Sequence, residues 1–100
     1  MLHSALVNWV ARDKMGRKHL PPVLRMMVLS RFPEDGKNWP DGSWSVEILF
    51  DQPPAEQANA VSEAKVQFVF DGAPEQRLHA GARFSIYHGP TKIADVHVLD

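Results

Sequence analysis

No cysteine occurs among the 100 residues. That excludes disulfides, thiolate zinc sites and a cysteine nucleophile, and it suits a reducing compartment. No apolar run approaches the roughly 20 residues that a membrane-spanning helix needs. The opening MLHSALVNWVA is apolar but lacks a basic lead and a clear cleavage site, so a cytoplasmic protein with no membrane partner is expected. The G-x-x-x-x-G-K-[ST] loop that cradles phosphates is also missing, and neither a nucleotide nor any other cofactor is expected. Repeats and low-complexity tracts are absent as well. What is there is 44% apolar and 23% charged, ordinary for a folded chain. The length supports one domain over residues 1–100, with a single modest core.

The net charge of −1 hides an asymmetry. Met1 to Arg31 carries six basic residues (Arg12, Lys14, Arg17, Lys18, Arg25, Arg31) against Asp13 alone, a balance of +5. Phe32 to Asp100 carries five basic and eleven acidic residues, a balance of −6. Such a split either makes a positive patch on a nearly neutral molecule or intermingles once the chain folds.

Alternation with a period of two dominates the rest. In SWSVEILF, Trp44, Val46, Ile48 and Phe50 share one face. In AKVQFVF, Ala64, Val66, Phe68 and Phe70 share one face. The closing stretch repeats the rule, with Phe84 and Ile86 on one strand and Ala94, Val96 and Val98 on the next, joined by a Gly-Pro turn. Two further strands are expected, over Ala5–Val10 and over Val23–Ser30, the second apolar on both faces. Separators such as RFPEDGKNWPDG, DQPP and DGAPEQ are rich in turn formers. About six short strands with one greasy side each argue for a sandwich or a small barrel. The segment PAEQANAVSEAKV reads as a loop with a helical turn, leading into a strand at Ala64.

GARFSIYHGPTKIADVHVL resembles the closing hairpin of the C-terminal β-barrel domain of elongation factor Tu and related translational GTPases, through Gly81, Phe84, Ile86, Gly89, Ile93, Ala94 and Val98. MGRKHLPP is similar to the Gly-Arg loop after that domain's first strand, with Gly16, Arg17 and Pro21 matching. The resemblance implies an all-β, six-stranded antiparallel Greek-key barrel, without the GTPase domain. It also implies an RNA-facing surface built from Arg17, its neighbour Lys18 and the Gly89 turn. Guanidinium and ammonium groups suit that task because they neutralise phosphates and release counterions. The family's hairpin turn has Gly-Gly-Arg where this chain has Gly89, Pro90 and Thr91, one cation fewer.

No catalytic constellation stands out. Five histidines are present, but none pairs at the spacing of H-E-x-x-H, and no metal site is expected. His88 and His97 lie on the paired closing strands, where an approach is open to them. Ser43, Ser45 and Ser85 lack a nucleophile-elbow context, so the chain is not expected to be an enzyme. In NWPDGSW, Trp44 continues a core face, whereas Trp39 either plugs one barrel end or stands exposed beside the Asp41-Gly42 turn as an anchor. The expected function is a binding module for another protein (an adaptor, an inhibitor or an immunity-type protein), contacted through Trp39 and Asp41. The alternative is RNA-backbone binding through Arg12, Lys14, Arg17, Lys18, Arg25 and Gly89.

Overall fold

A computed structural model describes residues 1–10, 20–57 and 60–100. Six strands follow one another: β1 (His3–Trp9), β2 (Arg25–Arg31), β3 (Ser45–Leu49), β4 (Val61–Phe68), β5 (Arg83–His88) and β6 (Thr91–Val98). They pair antiparallel in the closed order β1-β4-β3-β2-β5-β6, an all-β barrel with no free edge. Among the described residues, one short helix, α1 (Pro54–Gln57), and two 3-10 turns, Pro33–Asn38 and Glu75–Arg77, lie in the connections. No helix among the described residues is long and apolar enough to cross a membrane.

Alternation makes the barrel. Val7 of β1, Val46 and Ile48 of β3, Val66 of β4 and Ile86 of β5 point inward and are fully buried. Burying a side chain of this size contributes about 1.5–3 kcal/mol. Aromatic rings fill both ends. At one end Trp9 packs on Phe50 with ring centroids 6.1 Å apart, and its Nε1–H donates to Ser62 Oγ at 2.8 Å. At the other end Phe32 stacks on Phe84 at 4.4 Å and meets Phe68 at 5.8 Å.

Several sequence expectations shift. The helical turn forms at Pro54–Gln57, but β4 begins at Val61 rather than Ala64, because Ser62 pairs opposite Val7 and accepts from Trp9. Phe70 was expected on the buried face of that strand; instead the ladder ends at Phe68 opposite Val46, the chain turns, and Phe70 is 61% exposed. β2 starts at Arg25, leaving Val23 and Leu24 exposed ahead of it. Its second apolar face is also real: Val28 points inward while Met27 lies in solvent. Trp44 is half-buried, meeting the core edge-on at Phe68 rather than entering it.

Candidate functional site

The barrel wall has two unlike halves. On the β5–β6–β1 half, cross-strand register sets polar side chains in lateral rows. Arg31 of β2 sits opposite Ser85, Ser85 opposite Asp95, and Asp95 opposite Asn8. In the adjoining row Arg83 faces His97, which faces Leu6. Register slips between Ile86 and Tyr87, so that Ile86 pairs with Ala94 but Tyr87 with Lys92, and Ile93 is the extra, bulged residue. Strict alternation would send Lys92 inward with Ala94 and Val96. The bulge turns it outward instead, and its Nζ meets Asp95 Oδ1 at 2.9 Å.

Asp95 Oδ1 also accepts the Ser85 hydroxyl at 2.9 Å. Burial opposes its ionisation, but the Lys92 and Ser85 hydrogen bonds outweigh that and hold the carboxyl below its ordinary range. These residues line an open groove of about 700 Å³, with Arg31 and Arg83 on its flank. Among the described residues neither arginine makes an ion pair. The Arg31 guanidinium lies 5.1 Å from the centre of the Trp39 ring.

On the β2–β3–β4 half, Met27, Glu47 and Gln67 form one row. Both Glu47 oxygens are engaged, one by Arg25 Nε at 2.7 Å and the other by Gln67 Nε2 at 2.9 Å. Around this network Met27 (60% exposed), Phe70, Met1 and Val69 border a smaller groove of about 460 Å³, together with Asp71 and Glu75.

Of the residues singled out in the sequence, Trp39 neither plugs an end nor stands free. It folds back on the outer wall, half-buried, with Nε1–H donating to the Ser30 carbonyl at 2.8 Å and its ring against Tyr87 at 4.4 Å. Asp41 is exposed in a turn closed by its own N–H on the Asn38 carbonyl at 2.8 Å. Arg25 is ion-paired to Glu47 and is thus partly neutralised. Gly89 occupies the two-residue hairpin turn with φ 59°, the left-handed conformation such a turn demands at that position. Arg12, Lys14, Arg17 and Lys18 lie outside the described residues. His88 and His97 do not approach one another: the first pairs with Thr91 at the turn, the second with Arg83 at the far end of the hairpin. No cluster of three metal-ligating side chains forms among the described residues.

Sequence reasoning missed Arg31, Arg83, Lys92 and Asp95 as a group. Outward parity on β5 was readable for Arg83 and Ser85, but the bulge that aims Lys92 is signalled only by a lysine standing at an inward parity. No model of a known protein family matches the chain, and no curated protein or solved structure is similar to it.

Proposed function

We propose that the chain is a non-catalytic, cytoplasmic binding module for another protein, docking through the β2–β3–β4 half of its wall. The observation that supports this is Met27 and Phe70, both well over half exposed on the border of one groove. Covering an exposed Phe or Met recovers about 1.5–3 kcal/mol each, and Met adapts readily to a partner's shape. Asp71 lies in the groove with no ion pair among the described residues, whereas Glu75 is bonded to His3 and Arg25 is met by Glu47. The partner's expected chemistry is therefore an apolar anchor flanked by lysine or arginine. Trp39 and Asp41 enter as a second contact beyond the end of β2.

The fold is proposed to be a Greek key related to the elongation factor Tu C-terminal barrel. Its support is the strand order, with β1 beside β4 after the consecutive run β2-β3-β4, together with the Gly81–Leu99 hairpin. RNA-backbone binding through Arg12, Lys14, Arg17, Lys18, Arg25 and Gly89 stands as the alternative, supported by the +5 balance of the first third of the chain.

The test is affinity capture from host lysate, with and without ribonuclease, comparing the wild-type chain with Met27→Glu and Phe70→Asp. A partner that survives ribonuclease and high salt, and is lost with either variant, is expected. Capture unaffected by both variants would reject this surface. Capture abolished by ribonuclease would favour the RNA reading, whose affinity falls log-linearly with salt.

A further inference from the structure

We propose that the groove on the β5–β6–β1 half binds a ribonucleotide unit, with its phosphate between Arg31 and Arg83, its ribose hydroxyls on Asp95 and its base beside Tyr87. This inference does not rest on the protein-docking reading, whose main surface is the other half of the wall; the two meet at Trp39, which backs Tyr87.

Phosphate recognition needs cations that are not already spent. Lys92 is held by Asp95, but Arg31 and Arg83 carry no ion pair among the described residues. They lie diagonally across β2 and β5, since Arg31 is opposite Ser85 and Arg83 is two residues along from it. Diagonal neighbours stand about 7–8 Å apart at the backbone; the Arg31 guanidinium rests on the Trp39 ring, and swinging from it toward Arg83 would let the two close on one phosphate. Ser85 lines the same groove, opposite Arg31 and two residues from Arg83, with its hydroxyl donated to Asp95.

An ionised carboxylate at the centre of a basic groove would repel a simple anion. Its presence narrows the ligand. Both protein partners of Asp95 bond the same oxygen, Oδ1, which leaves Oδ2 without a protein partner among the described residues, on a residue that lines the groove. A charged acceptor beside a phosphate site suits vicinal hydroxyls, the role an acidic residue plays toward ribose in dinucleotide-binding folds. The next outward position on β5 is Tyr87, whose ring is backed by Trp39 and adjoins Arg31 through that indole. Arg83, Ser85 and Tyr87 alternate along one face at about 6.7 Å intervals, which orders phosphate, sugar and base along the strand. A volume of about 700 Å³ is that of an ordinary small-molecule site. The missing P-loop led to an expectation of no nucleotide, but that loop uses backbone N–H groups, whereas this groove would use side chains.

The probes are adenosine 5′-monophosphate, its 2′-deoxy analogue, adenosine, and a short single-stranded RNA, titrated at low salt by isothermal calorimetry and by amide chemical shifts. The expected result is adenosine monophosphate binding with Kd of about 1 mM or tighter, roughly tenfold weaker binding of adenosine, and a loss of about tenfold in Arg83→Gln or Arg31→Gln. Asp95→Asn is expected to narrow the preference for the ribo over the deoxy form. Lys65→Gln, on the other half of the wall, serves as the control and is expected to change nothing. If RNA binds and the mononucleotide does not, with the same arginine dependence, the unit is read within a strand. Binding of every probe unchanged in both arginine variants, equal affinity for adenosine and its monophosphate, or no binding of any probe by folded protein would overturn the proposal.

Discussion

Removing the Arg77 side chain should loosen the end of the barrel that Phe32 closes. Arg77 lies in the Glu75–Arg77 turn and reaches across to the Pro33–Asn38 turn, where Nη1 meets Asp35 Oδ1 at 3.0 Å. The Asp35 side chain is only 4% exposed and that of Arg77 18%, so this pair is largely withdrawn from water. The other Asp35 oxygen accepts the Phe32 N–H at 2.7 Å, and the guanidinium lies 5.5 Å above the Phe32 ring. Arg77→Ala thus leaves a buried carboxylate with one partner and uncovers an aromatic ring. A hydrogen bond to a charged group is worth about 1.5–3 kcal/mol. Breaking a fully buried pair costs about 3–5 kcal/mol. Water can reach part of Arg77, so a loss of about 2–3 kcal/mol is expected. For a domain of this length each kcal/mol lowers Tm by about 4–8 °C, which predicts a fall of roughly 8–24 °C. Urea unfolding followed by circular dichroism, with calorimetry in parallel, measures both quantities. The Asp35→Asn, Arg77→Ala cycle should return a coupling of about 1–2 kcal/mol. A loss below about 0.5 kcal/mol for Arg77→Ala, the worth of an exposed pair, would refute the reasoning.

Three further perturbations probe other parts of the barrel. His3 is nearly buried, with Nδ1 bonded to the Asp100 carbonyl at 2.9 Å and Nε2 to Glu75 Oε1 at 2.9 Å. Burial works against its charge, but the Glu75 and Asp100 interactions prevail and raise its pKa above 6.5. A raised folded-state pKa stabilises fully below the unfolded value and ceases to do so as pH climbs through the folded value. The Tm advantage of wild type over His3→Gln should therefore be greatest near pH 6 and shrink toward pH 9, and an advantage flat across that range would contradict the assignment. Trp9→Phe removes the donor to the buried Ser62 hydroxyl and shrinks an end plug, with an expected cost of about 1.5–3 kcal/mol by urea unfolding. Adding Ser62→Ala to that variant should recover part of the loss, and no recovery would show the hydroxyl well served without Trp9. Ile48→Ala opens a void at a fully buried position and should cost about 2–5 kcal/mol in the same assay.

Much of the barrel was legible because its physics is local. Val46, Ile48, Val66, Phe84, Ile86 and Val96 alternate in sequence and are buried in space, since a strand repeats every two residues. The turns were legible for the same reason, Gly89 above all. Strand ends were less so. Phe70 continues the alternation of Phe68, yet nothing in its own neighbourhood says that the partner strand has run out one pair earlier. Apolar surface left outside by such an ending is invisible to periodicity, which is why Met27 and Phe70 emerge as a pair only once β2 and β4 are set on either side of β3.

The polar groove was hidden more deeply, because it depends on one irregularity. By parity Lys92 belongs with Ala94, Val96 and Val98, an inward set in which a lysine has no place. That conflict between charge and parity was the only available clue that the strand must slip. A bulge at Ile93 resolves it, carries Lys92 to the outer face, and lets it pair with the carboxylate of Asp95 three residues on. Lys92 and Ser85 both bond Oδ1 of Asp95, which leaves Oδ2 without a protein partner among the described residues. Without the bulge, Asp95 would lack the Lys92 ammonium, and Arg31 and Arg83 would face a less restrained carboxylate, the nearest opposite charge in the groove. The slip that rescues a lysine from the core is therefore also what keeps two arginines available for a ligand.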